Sequence, residues 1–596
     1  MKKLAVFLKG YEKETILAPL FKMLEAFFDL LVPLVVADII DVGIAGASRN
    51  YIVSRVLILV LLAAAGLTSS ITAQYFAAKS SVGFATKLRQ AMFDHIQSLS
   101  CAELDTLGTN TLITRMTSDI NQVQNGLNMA LRLLLRSPFI VFGSMIMAFT
   151  IDVKCALVFA VAIPVLSVVV YGIMLVSIPL FKKVQMQLDK VTGLTRENLT
   201  GVRVIRAFCR EEDEVRNFDV QNETLTKMNE TVGRISALMN PATYVLINIA
   251  TIVLIRCGAL QVSLGVLQQG DVVALYNYMA QMIVELIKLA SLIVTINKAI
   301  ACAGRVEKVL EVQPGMTFPE TDGTAENSPA AGQHPADPET RGAVRFEHVT
   351  FTYSGAGAPA LSDIDFDVRP GQTVGIIGGT GSGKTSLVSL IPRFYDVSAG
   401  CISVDGRNVK DYPAGVLAER VGMVPQKAVL FKGSIRDNLR WGNEHASDEE
   451  LRQAVRTAQA EEVVEGKTGG LDFELEQNGR NLSGGQRQRL TIARALAKKP
   501  EILILDDSAS ALDFATDAAL RAAIRHMEGS TTVFIVSQRT SSIRQADLIL
   551  VLDDGMLAGK GTHAELMKNC GVYQEIYYSQ FPEERPPESL RAEVQA

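Results

Sequence analysis

The sequence predicts two folds in one chain: an all-α transmembrane domain of six helices with long cytoplasmic helical extensions, then an α/β domain with a parallel sheet core. Six long apolar stretches lie within the first 300 residues, and a helix needs about 20 apolar residues to cross a bilayer. After residue 342, short β-branched runs alternate with helical patterns, which is typical of a parallel sheet covered by helices. The predicted units are a transmembrane domain at 1–311, a linker at 312–342, an α/β domain at 343–581 and a disordered tail at 582–596.

The six apolar stretches are near 16–40, 52–77, 134–151, 155–178, 242–264 and 270–298. The long segments after the second and fourth stretches are rich in cations, with six Lys or Arg from Lys79 to Arg136 and ten from Lys182 to Arg234. Because Lys and Arg concentrate in cytoplasmic loops, we expect the amino terminus, both long loops and the α/β domain in the cytoplasm. The first stretch contains four charged residues, so it is not predicted to be a signal peptide.

Charge and cysteine content exclude several kinds of function. Lys and Arg number 58 against 63 Asp and Glu, which gives a net charge of -5. A protein that binds nucleic acid in bulk needs a dominant basic surface, so no nucleic-acid partner is expected. The seven cysteines are scattered, without a CxxC pair or metal-ligand spacing. We therefore expect reduced thiols rather than a disulfide framework or a zinc site.

Polar residues form a row on one face of the first and of the last predicted span. These rows are Lys22, Glu25 and Asp29 in the first span, and Asn277, Gln281, Glu285 and Lys288 in the sixth. Charges at membrane depth are costly and normally face a bundle interior or a wet cavity. One interpretation is a substrate pathway; the other is structural pairing of Lys22 with Glu25 and of Glu285 with Lys288.

The segment Gly378-Gly379-Thr380-Gly381-Ser382-Gly383-Lys384-Thr385 matches the phosphate-binding pattern GxxxxGK[ST] in full. It follows a predicted strand at 373–377 and precedes a helical run, which is the context that the motif requires. Glycines let backbone N–H groups turn toward phosphate oxygens, and the following helix presents its positive end. We expect this loop and Ser386 to bind a nucleotide, with Lys384 at the β- and γ-phosphates. Thr385 and Asp506, which ends a predicted strand at 502–505, are expected to bind Mg²⁺.

The residues Leu482-Ser483-Gly484-Gly485-Gln486 resemble the signature of ATP-binding-cassette (ABC) proteins and lie between the phosphate loop and Asp506, as in that family. In this family two cassettes pack head to tail around ATP. The resemblance implies that Ser483, Gly484, Gly485 and Gln486 contact ATP held by a partner chain. Tyr353 resembles the aromatic residue that stacks on adenine, Gln426 the glutamine that touches Mg²⁺, and 510–513 the D-loop.

The order of six helices and one cassette resembles the half-transporter layout of ABC exporters. Within the first part, Thr109–Asp119 and Glu197–Arg210 resemble the loop regions that dock on the cassettes. The resemblance implies ATP and Mg²⁺ as cofactors, a second half-transporter as partner, contact with membrane lipid and, with short extracellular loops, a bacterial cytoplasmic membrane. Apolar residues mixed with Tyr276, Tyr278, Gln281 and Glu285 would suit amphipathic, drug-like substrates.

Two positions depart from the catalytic pattern of the family. Most active cassettes have a glutamate after the Mg²⁺ aspartate as general base, where this chain has Asp507. The family also expects a histidine near the γ-phosphate, where this chain has Gln538. A carboxylate that is shorter by one methylene is withdrawn by roughly 1–1.5 Å, and such a displacement costs ~10²-fold in rate. Glutamine cannot carry a positive charge.

These departures predict an exporter subunit whose own ATP site, with Asp507, Gln538 and Gln426, hydrolyses weakly. Its intact signature would serve the active site of a partner with Glu and His at those two positions. The alternatives are a homodimeric lipid or peptide exporter, a siderophore-type importer with an exporter fold, and a nucleotide-binding regulatory subunit without net transport.

Overall fold

The computed structural model of the chain describes residues 3–46, 48–319, 341–527 and 530–585. The chain divides into two compact units. The first unit combines Met1–Gln97 with Thr109–Val312, and the second combines Ser98–Gly108 with Gln313–Ala596. Most of the predicted linker and tail, at 320–340 and 586–596, lies outside the described residues.

The chain up to residue 312 is helical in its described part. Its helices are α1 (Glu12–Asp38), α2 (Arg49–Ser98), α3 (Cys101–Leu107), α4 (Thr109–Thr114), α5 (Ile120–Leu133), α6 (Arg136–Ile151), α7 (Val153–Thr200), α8 (Val202–Ala207), α9 (Glu211–Ala237), α10 (Met239–Ser263) and α11 (Gln269–Leu310). A 3₁₀-helix at Leu4–Leu8 precedes them, and π-helical turns at Ile39–Ile44 and Arg115–Asp119 interrupt them.

Five continuous helical stretches in the described residues are long and apolar enough to cross a membrane. They are Arg49–Ser98, Thr109–Ile151, Val153–Thr200, Glu211–Ser263 and Gln269–Leu310. The shortest has 42 residues, which is about 63 Å at 1.5 Å per residue, twice the ~30 Å of the hydrocarbon core. Each stretch therefore extends well beyond the bilayer, as the predicted fold class requires. The first predicted span, at 16–40, lies in α1 and the first two residues of the π-helical turn at Ile39–Ile44; α1 is not among the five stretches.

Helix α11 forms the centre of the first unit, where it packs against α1, α5 and α6. A buried apolar cluster that includes Leu30, Phe159 and Leu275 lies between α1, α6, α7, α10 and α11. Small residues allow close crossings: a Cβ added at Gly126 of α5 would lie 2.2 Å from the Cβ of Ala299 in α11. This packing brings polar residues of α1, α6 and α11 to one place.

The second unit is an α/β domain with two main sheets. Its strands are β1 (Val344–Phe351), β2 (Leu361–Val368), β3 (Thr373–Gly378), β4 (Ala399–Val404), β5 (Arg407–Asn408), β6 (Val421–Val424), β7 (Gly433–Ser434), β8 (Glu474–Leu475), β9 (Ile502–Asp506), β10 (Thr532–Val536), β11 (Leu548–Asp553) and β12 (Met556–Gly561). The order β2-β1-β4-β5 forms an antiparallel sheet. The order β12-β11-β3-β10-β9-β6 forms a second sheet that is parallel except at β12.

Ten α-helices accompany these strands in the described part of the cassette. They are α12 (Lys384–Leu390), α13 (Val416–Arg420), α14 (Ile435–Arg440), α15 (Asp448–Thr457), α16 (Glu461–Glu465), α17 (Gly484–Ala497), α18 (Phe514–Arg525), α19 (Thr540–Ile543), α20 (His563–Asn569) and α21 (Gly571–Gln580). Every residue of β9 and β10 is buried, as expected of central parallel strands covered on both faces. The predicted α/β fold class is therefore confirmed.

The parallel sheet determines where the candidate site lies. Strands β3, β10 and β9 are neighbours, and Val536 of β10 is in register with Ile376 of β3 and with Asp506 of β9. Their carboxyl ends therefore meet at one edge, the usual position of ligands in parallel sheets. The phosphate loop, the Asp506–Asp507 pair and the segment that contains Gln538 follow these three ends.

Candidate nucleotide-binding site

The loop after β3 has the backbone geometry of a phosphate cradle. Gly381 and Gly383 have φ angles of +85° and +91°, in the left-handed region that favours glycine. A Cβ at Gly383 would lie 2.7 Å from the Leu361 Cδ2 atom, so a larger residue does not fit. Lys384 Nζ donates to the Gly378 carbonyl at 3.1 Å and to the Gly379 carbonyl at 2.6 Å. The lysine is thus held across the loop that it serves.

Two oxygen ligands suitable for Mg²⁺ lie beside this loop. Thr385 Oγ1 donates to Asp506 Oδ1 at 3.1 Å, and Asp506 is only 2% exposed at the end of β9. Mg²⁺ prefers oxygen ligands and is commonly held by one or two protein groups together with substrate phosphates and waters. The hydroxyl and the carboxylate fit that role.

Asp507 follows in an uncommon backbone conformation, with φ +45°. Aspartate tolerates the left-handed region better than most residues do. Its N–H donates to the Val536 carbonyl at 3.0 Å, which holds the residue between β9 and β10. Gln426 Nε2 lies 3.4 Å from Asp507 Oδ2 and donates to it, so the expected general base and the expected Mg²⁺-contacting glutamine are adjacent.

Gln538 is held through its backbone by a residue that the motifs did not indicate. Gln580, the last residue of α21, donates from Nε2 to the Gln538 carbonyl at 2.7 Å. Its Oε1 accepts from the N–H and from the hydroxyl of Thr540, both at 2.8 Å. One side chain near the end of the cassette therefore clamps the segment where the family expects a catalytic histidine. A separation of 42 residues hid this contact from motif analysis.

Tyr353, which the sequence predicts to stack on adenine, lines the same cavity as the phosphate loop. Its hydroxyl lies 2.9 Å from Ser386 Oγ, and its ring packs edge-on against Tyr395 with centroids 5.4 Å apart. Tyr395 in turn donates to Asp105 Oδ2 of α3 at 2.6 Å. The sequence did not indicate this link, which joins the adenine side of the site to α3. Ser98–Gly108 groups with the cassette in the second unit, and the region predicted to dock on a cassette, Thr109–Asp119, belongs to the first unit.

One cavity of about 300 Å³ brings most of the predicted residues together. It is lined by Tyr353, Thr380, Gly381, Gly383, Lys384, Thr385, Ser386, Gln426, Asp506, Asp507 and Gln538, among others. Gly378, Gly379 and Ser382 belong to the same loop and contact Lys384. The binding residues and the two departures therefore face the same space.

The signature residues Ser483, Gly484, Gly485 and Gln486 do not line this cavity. They form the start of α17, where the Gln486 N–H donates to Ser483 Oγ at 3.3 Å and Gln486 Oε1 accepts from the Ser483 N–H at 3.0 Å. This capping box leaves the first backbone N–H groups of a 14-residue helix available to an anion from outside the cassette.

Burial governs the electrostatics of the cavity. It raises the pKa of the Asp506 and Asp507 carboxyls and lowers the pKa of the Lys384 ammonium, because a low-dielectric environment disfavours the charged form. The attraction between the lysine and the two carboxylates opposes these shifts. The hydrogen bond from Gln426 also lowers the pKa of Asp507.

Each of the two units matches known protein families. Residues 15–286 match the family of the ABC transporter transmembrane region, and residues 361–510 match the ABC transporter family. An uncharacterized ABC transporter ATP-binding protein of Mycobacterium tuberculosis (strain CDC 1551 / Oshkosh) is 36% identical over 96% of this chain and 97% of its own length. A probable multidrug resistance ABC transporter ATP-binding/permease protein of Bacillus subtilis (strain 168) is 34% identical over 83% of this chain and 82% of its own.

Two further similarities extend over nearly the whole chain. An ATP-dependent lipid A-core flippase of Chromobacterium violaceum is 30% identical over 98% of this chain and 97% of its own. The solved structure of a bacterial Atm1-family ABC exporter with ATP bound has a TM-score of 0.77 at 23% identity, covering 96% of this chain and 99% of that one, so the two share a fold. The chain therefore belongs to the ABC transporter family as a half-transporter, in which a multi-pass transmembrane region precedes one ATP-binding cassette of the ATP-hydrolysing type.

Proposed function

We propose that this chain is one half of a heterodimeric, ATP-driven exporter of amphipathic molecules in a bacterial cytoplasmic membrane, with its amino terminus and cassette in the cytoplasm. Its own ATP site hydrolyses slowly, and its signature completes the active site of a partner half-transporter. That partner carries Glu and His at the positions of Asp507 and Gln538.

The observation that carries this proposal is the composition of the nucleotide cavity. The cavity combines an intact phosphate loop with both departures, Asp507 and Gln538. Binding is thereby retained while two hydrolytic groups are altered. The raised pKa of Asp507 favours acceptance of a proton, so the slow hydrolysis follows from the position of the carboxylate and not from its basicity. The Asp507 carboxylate is one methylene short of where glutamate would place it. The Asp507 N–H donates to the Val536 carbonyl, which keeps the backbone from moving closer.

The residues for ATP and Mg²⁺ fit their proposed ligands. Lys384, already held among loop carbonyls, would bind the terminal phosphates, while Thr385 and Asp506 would hold Mg²⁺. When bound, Mg²⁺ neutralises charge that develops on the transferred phosphoryl group. Gln426 orients the Asp507 carboxylate, and Gln580 fixes the backbone of the Gln538 segment.

The placement of the signature supports action in trans. Its four residues lie outside the cavity of their own cassette and form a capped helix start, in which the cap bonds use the Ser483 and Gln486 N–H groups and not those of Gly484 and Gly485. In a heterodimer these groups would stabilise phosphate charge on the partner's ATP. The altered site and the intact signature would then serve two different ATP molecules.

The test is the vanadate-sensitive ATPase activity of the purified full chain in lipid, compared with Asp507→Glu/Gln538→His. We expect near-zero turnover for the unmodified chain and a rise of about 10²-fold for the double variant, the cost of a ~1 Å misplacement. Asp554→Glu is the matched control: Asp554 also has a left-handed backbone, with φ +43°, but does not line the cavity. Brisk turnover by the unmodified chain would refute the proposal.

A homodimeric lipid transporter is the second candidate. The similarity to the lipid A-core flippase over nearly the whole chain favours it. It predicts the brisk turnover just described, together with ATP-dependent movement of labelled lipid between leaflets by the chain alone. The same ATPase measurement therefore separates the two candidates.

A further inference from the structure

A chain of alternating charges connects three helices of the transmembrane unit. Arg136 at the start of α6 donates from Nη1 to Glu285 Oε1 of α11 at 2.6 Å, and from Nη2 to Asp29 Oδ2 of α1 at 3.1 Å. Lys288 Nζ donates to the same Glu285 oxygen at 2.9 Å. The order Asp29, Arg136, Glu285, Lys288 is therefore negative, positive, negative, positive.

The inner and outer members of this chain differ in exposure. The side chains of Arg136 and Glu285 are 13% and 5% exposed, whereas those of Asp29 and Lys288 are 43% and 46% exposed. Ser137 also donates to Glu285 Oε2 at 2.8 Å. Glu285 is thus satisfied by its neighbours, Arg136 uses both Nη atoms but leaves its buried Nε without a partner among the described residues, and the two outer charges remain accessible.

Both outer charges line one cavity of about 350 Å³. Gln281 lines it as well, and its buried Oε1 has no hydrogen-bond partner among the described residues. Gln281 Nε2 donates to the Asp29 carbonyl at 3.4 Å, so this amide lies at the Asp29 end. Ile140 and Val284 add apolar surface.

The two ends of the cavity suit ligand groups of opposite charge. At the Asp29 end, the carboxylate accepts one hydrogen bond, from Arg136, and the Gln281 amide oxygen has no partner among the described residues. Both groups can accept further hydrogen bonds, which suits an ammonium group. At the other end Lys288 presents a cation, which suits a carboxylate or phosphate. Gln281 and Lys288 are seven residues apart on α11, about 10 Å at 1.5 Å per residue.

The two local pairs predicted from the sequence, Lys22 with Glu25 and Glu285 with Lys288, both occur. Of the predicted cavity groups, Gln281 and Glu285 line this cavity. Tyr278 is instead fully buried and donates to the Leu30 carbonyl at 2.6 Å. Glu285 is occupied by three donors, Arg136 among them, so the polar groups left for a ligand are Asp29, Gln281 and Lys288.

We infer that this cavity binds amphipathic molecules that carry both an ammonium and an anionic group, with the ammonium at Asp29 and Gln281 and the anion at Lys288. The inference deepens the proposed function by naming the substrate class. The same chemistry occurs in zwitterionic solutes and in lipid headgroups with a primary amine. The apolar walls of the cavity, at Ile140 and Val284, accommodate the hydrophobic part of either ligand.

Equilibrium binding tests the inference. The full chain is placed in phosphatidylglycerol nanodiscs without nucleotide, and the probe is the tripeptide Ala-Lys(Nε-dansyl)-Ala, whose extended termini are about 10 Å apart. Dansyl fluorescence is compared for the free peptide, its N-acetyl form and its C-terminal amide. We expect saturable binding of the free peptide, and affinities roughly 10- to 100-fold lower for each blocked form, the range of a lost charged hydrogen bond.

Two variants separate recognition from a structural role. Asp29→Asn should remove only the preference for a free amine, and Lys288→Gln only the preference for a free carboxylate. The controls are Asp38→Asn, which breaks the Asp38–Arg55 pair elsewhere on α1, and Arg256→Gln on α10, and both should retain the two preferences. Equal binding of all three peptides, no saturable binding, or an equal loss for every peptide in both variants would overturn the inference.

A second arm identifies the source of the ligand. If phosphatidylethanolamine in the nanodisc displaces the peptide, and Asp29→Asn abolishes that displacement, the occupant is a lipid headgroup. If phosphatidylethanolamine does not displace the peptide, the occupant is a free zwitterion. Because binding is measured without ATP, failure here is distinct from failure of the ATPase test.

Discussion

Gln580→Ala should release the segment that contains Gln538. The substitution removes three hydrogen bonds, one to the Gln538 carbonyl and two from Thr540, at 2.7–2.8 Å. A typical hydrogen bond contributes about 0.5–1.5 kcal/mol net, and Gln580 is exposed, so the low end applies. The total is about 1.5 kcal/mol, which corresponds to roughly tenfold more frequent opening.

Hydrogen–deuterium exchange of the full chain in lipid measures this opening. The Thr540 N–H should exchange about tenfold faster in the variant, because local opening controls exchange and its acceptor is removed. Gln574→Ala is the matched control: it lies on the same helix α21, but its Nε2 donates to the Met567 carbonyl at 2.8 Å, away from the segment. Exchange at Thr540 that changes less than twofold, or equally in both variants, would refute the clamp.

Two other predictions concern the cassette. Gly485→Asp should lower the ATPase activity of the partner-containing complex by at least tenfold, while ATP binding to the isolated chain persists. The new Cβ would lie 3.0 Å from the Ala511 carbonyl, and the new negative charge would repel the phosphate. Unchanged ATPase activity would exclude action in trans. Asp506→Asn should raise the thermal unfolding midpoint at neutral pH, because burial raises the pKa of Asp506 and disfavours the folded carboxylate. The folded chain binds a proton at this group at higher pH than the unfolded chain, so the gain should shrink as the pH falls through the raised pKa; a gain independent of pH would contradict this origin.

The sequence predicts the nucleotide site because the parts of that site are local. The phosphate loop, Asp506 and the signature each occupy a few consecutive residues, and each requires a defined backbone conformation. Strands β3, β9 and β10 are apolar except at Thr373, Asp506 and Thr532 at their ends, a pattern typical of central parallel strands. The fold class followed from the same local patterns, together with the length of the apolar helices.

Tertiary contacts decided what the motifs left open. Gln580 reaches Gln538 across 42 residues, and Tyr395 reaches Asp105 across 290. The polar row of α11 was visible in the sequence, and its local pairing with Lys288 was predicted. That Arg136 joins this row to α1, and thereby buries Glu285, depends on an arginine 149 residues away.

The sequence by itself determined the fold class and the ABC family motifs, and from them it predicts a phosphate-binding loop, a Mg²⁺ carboxylate and two altered hydrolytic positions. It also determined the apolar helices of membrane-spanning length. These properties follow from residue type and local periodicity, which act over a few residues. The tertiary structure decided which polar groups remain accessible. Accessibility depends on how distant helices pack, because one long-range ion pair satisfies Glu285 while it leaves Asp29 and Lys288 facing a cavity.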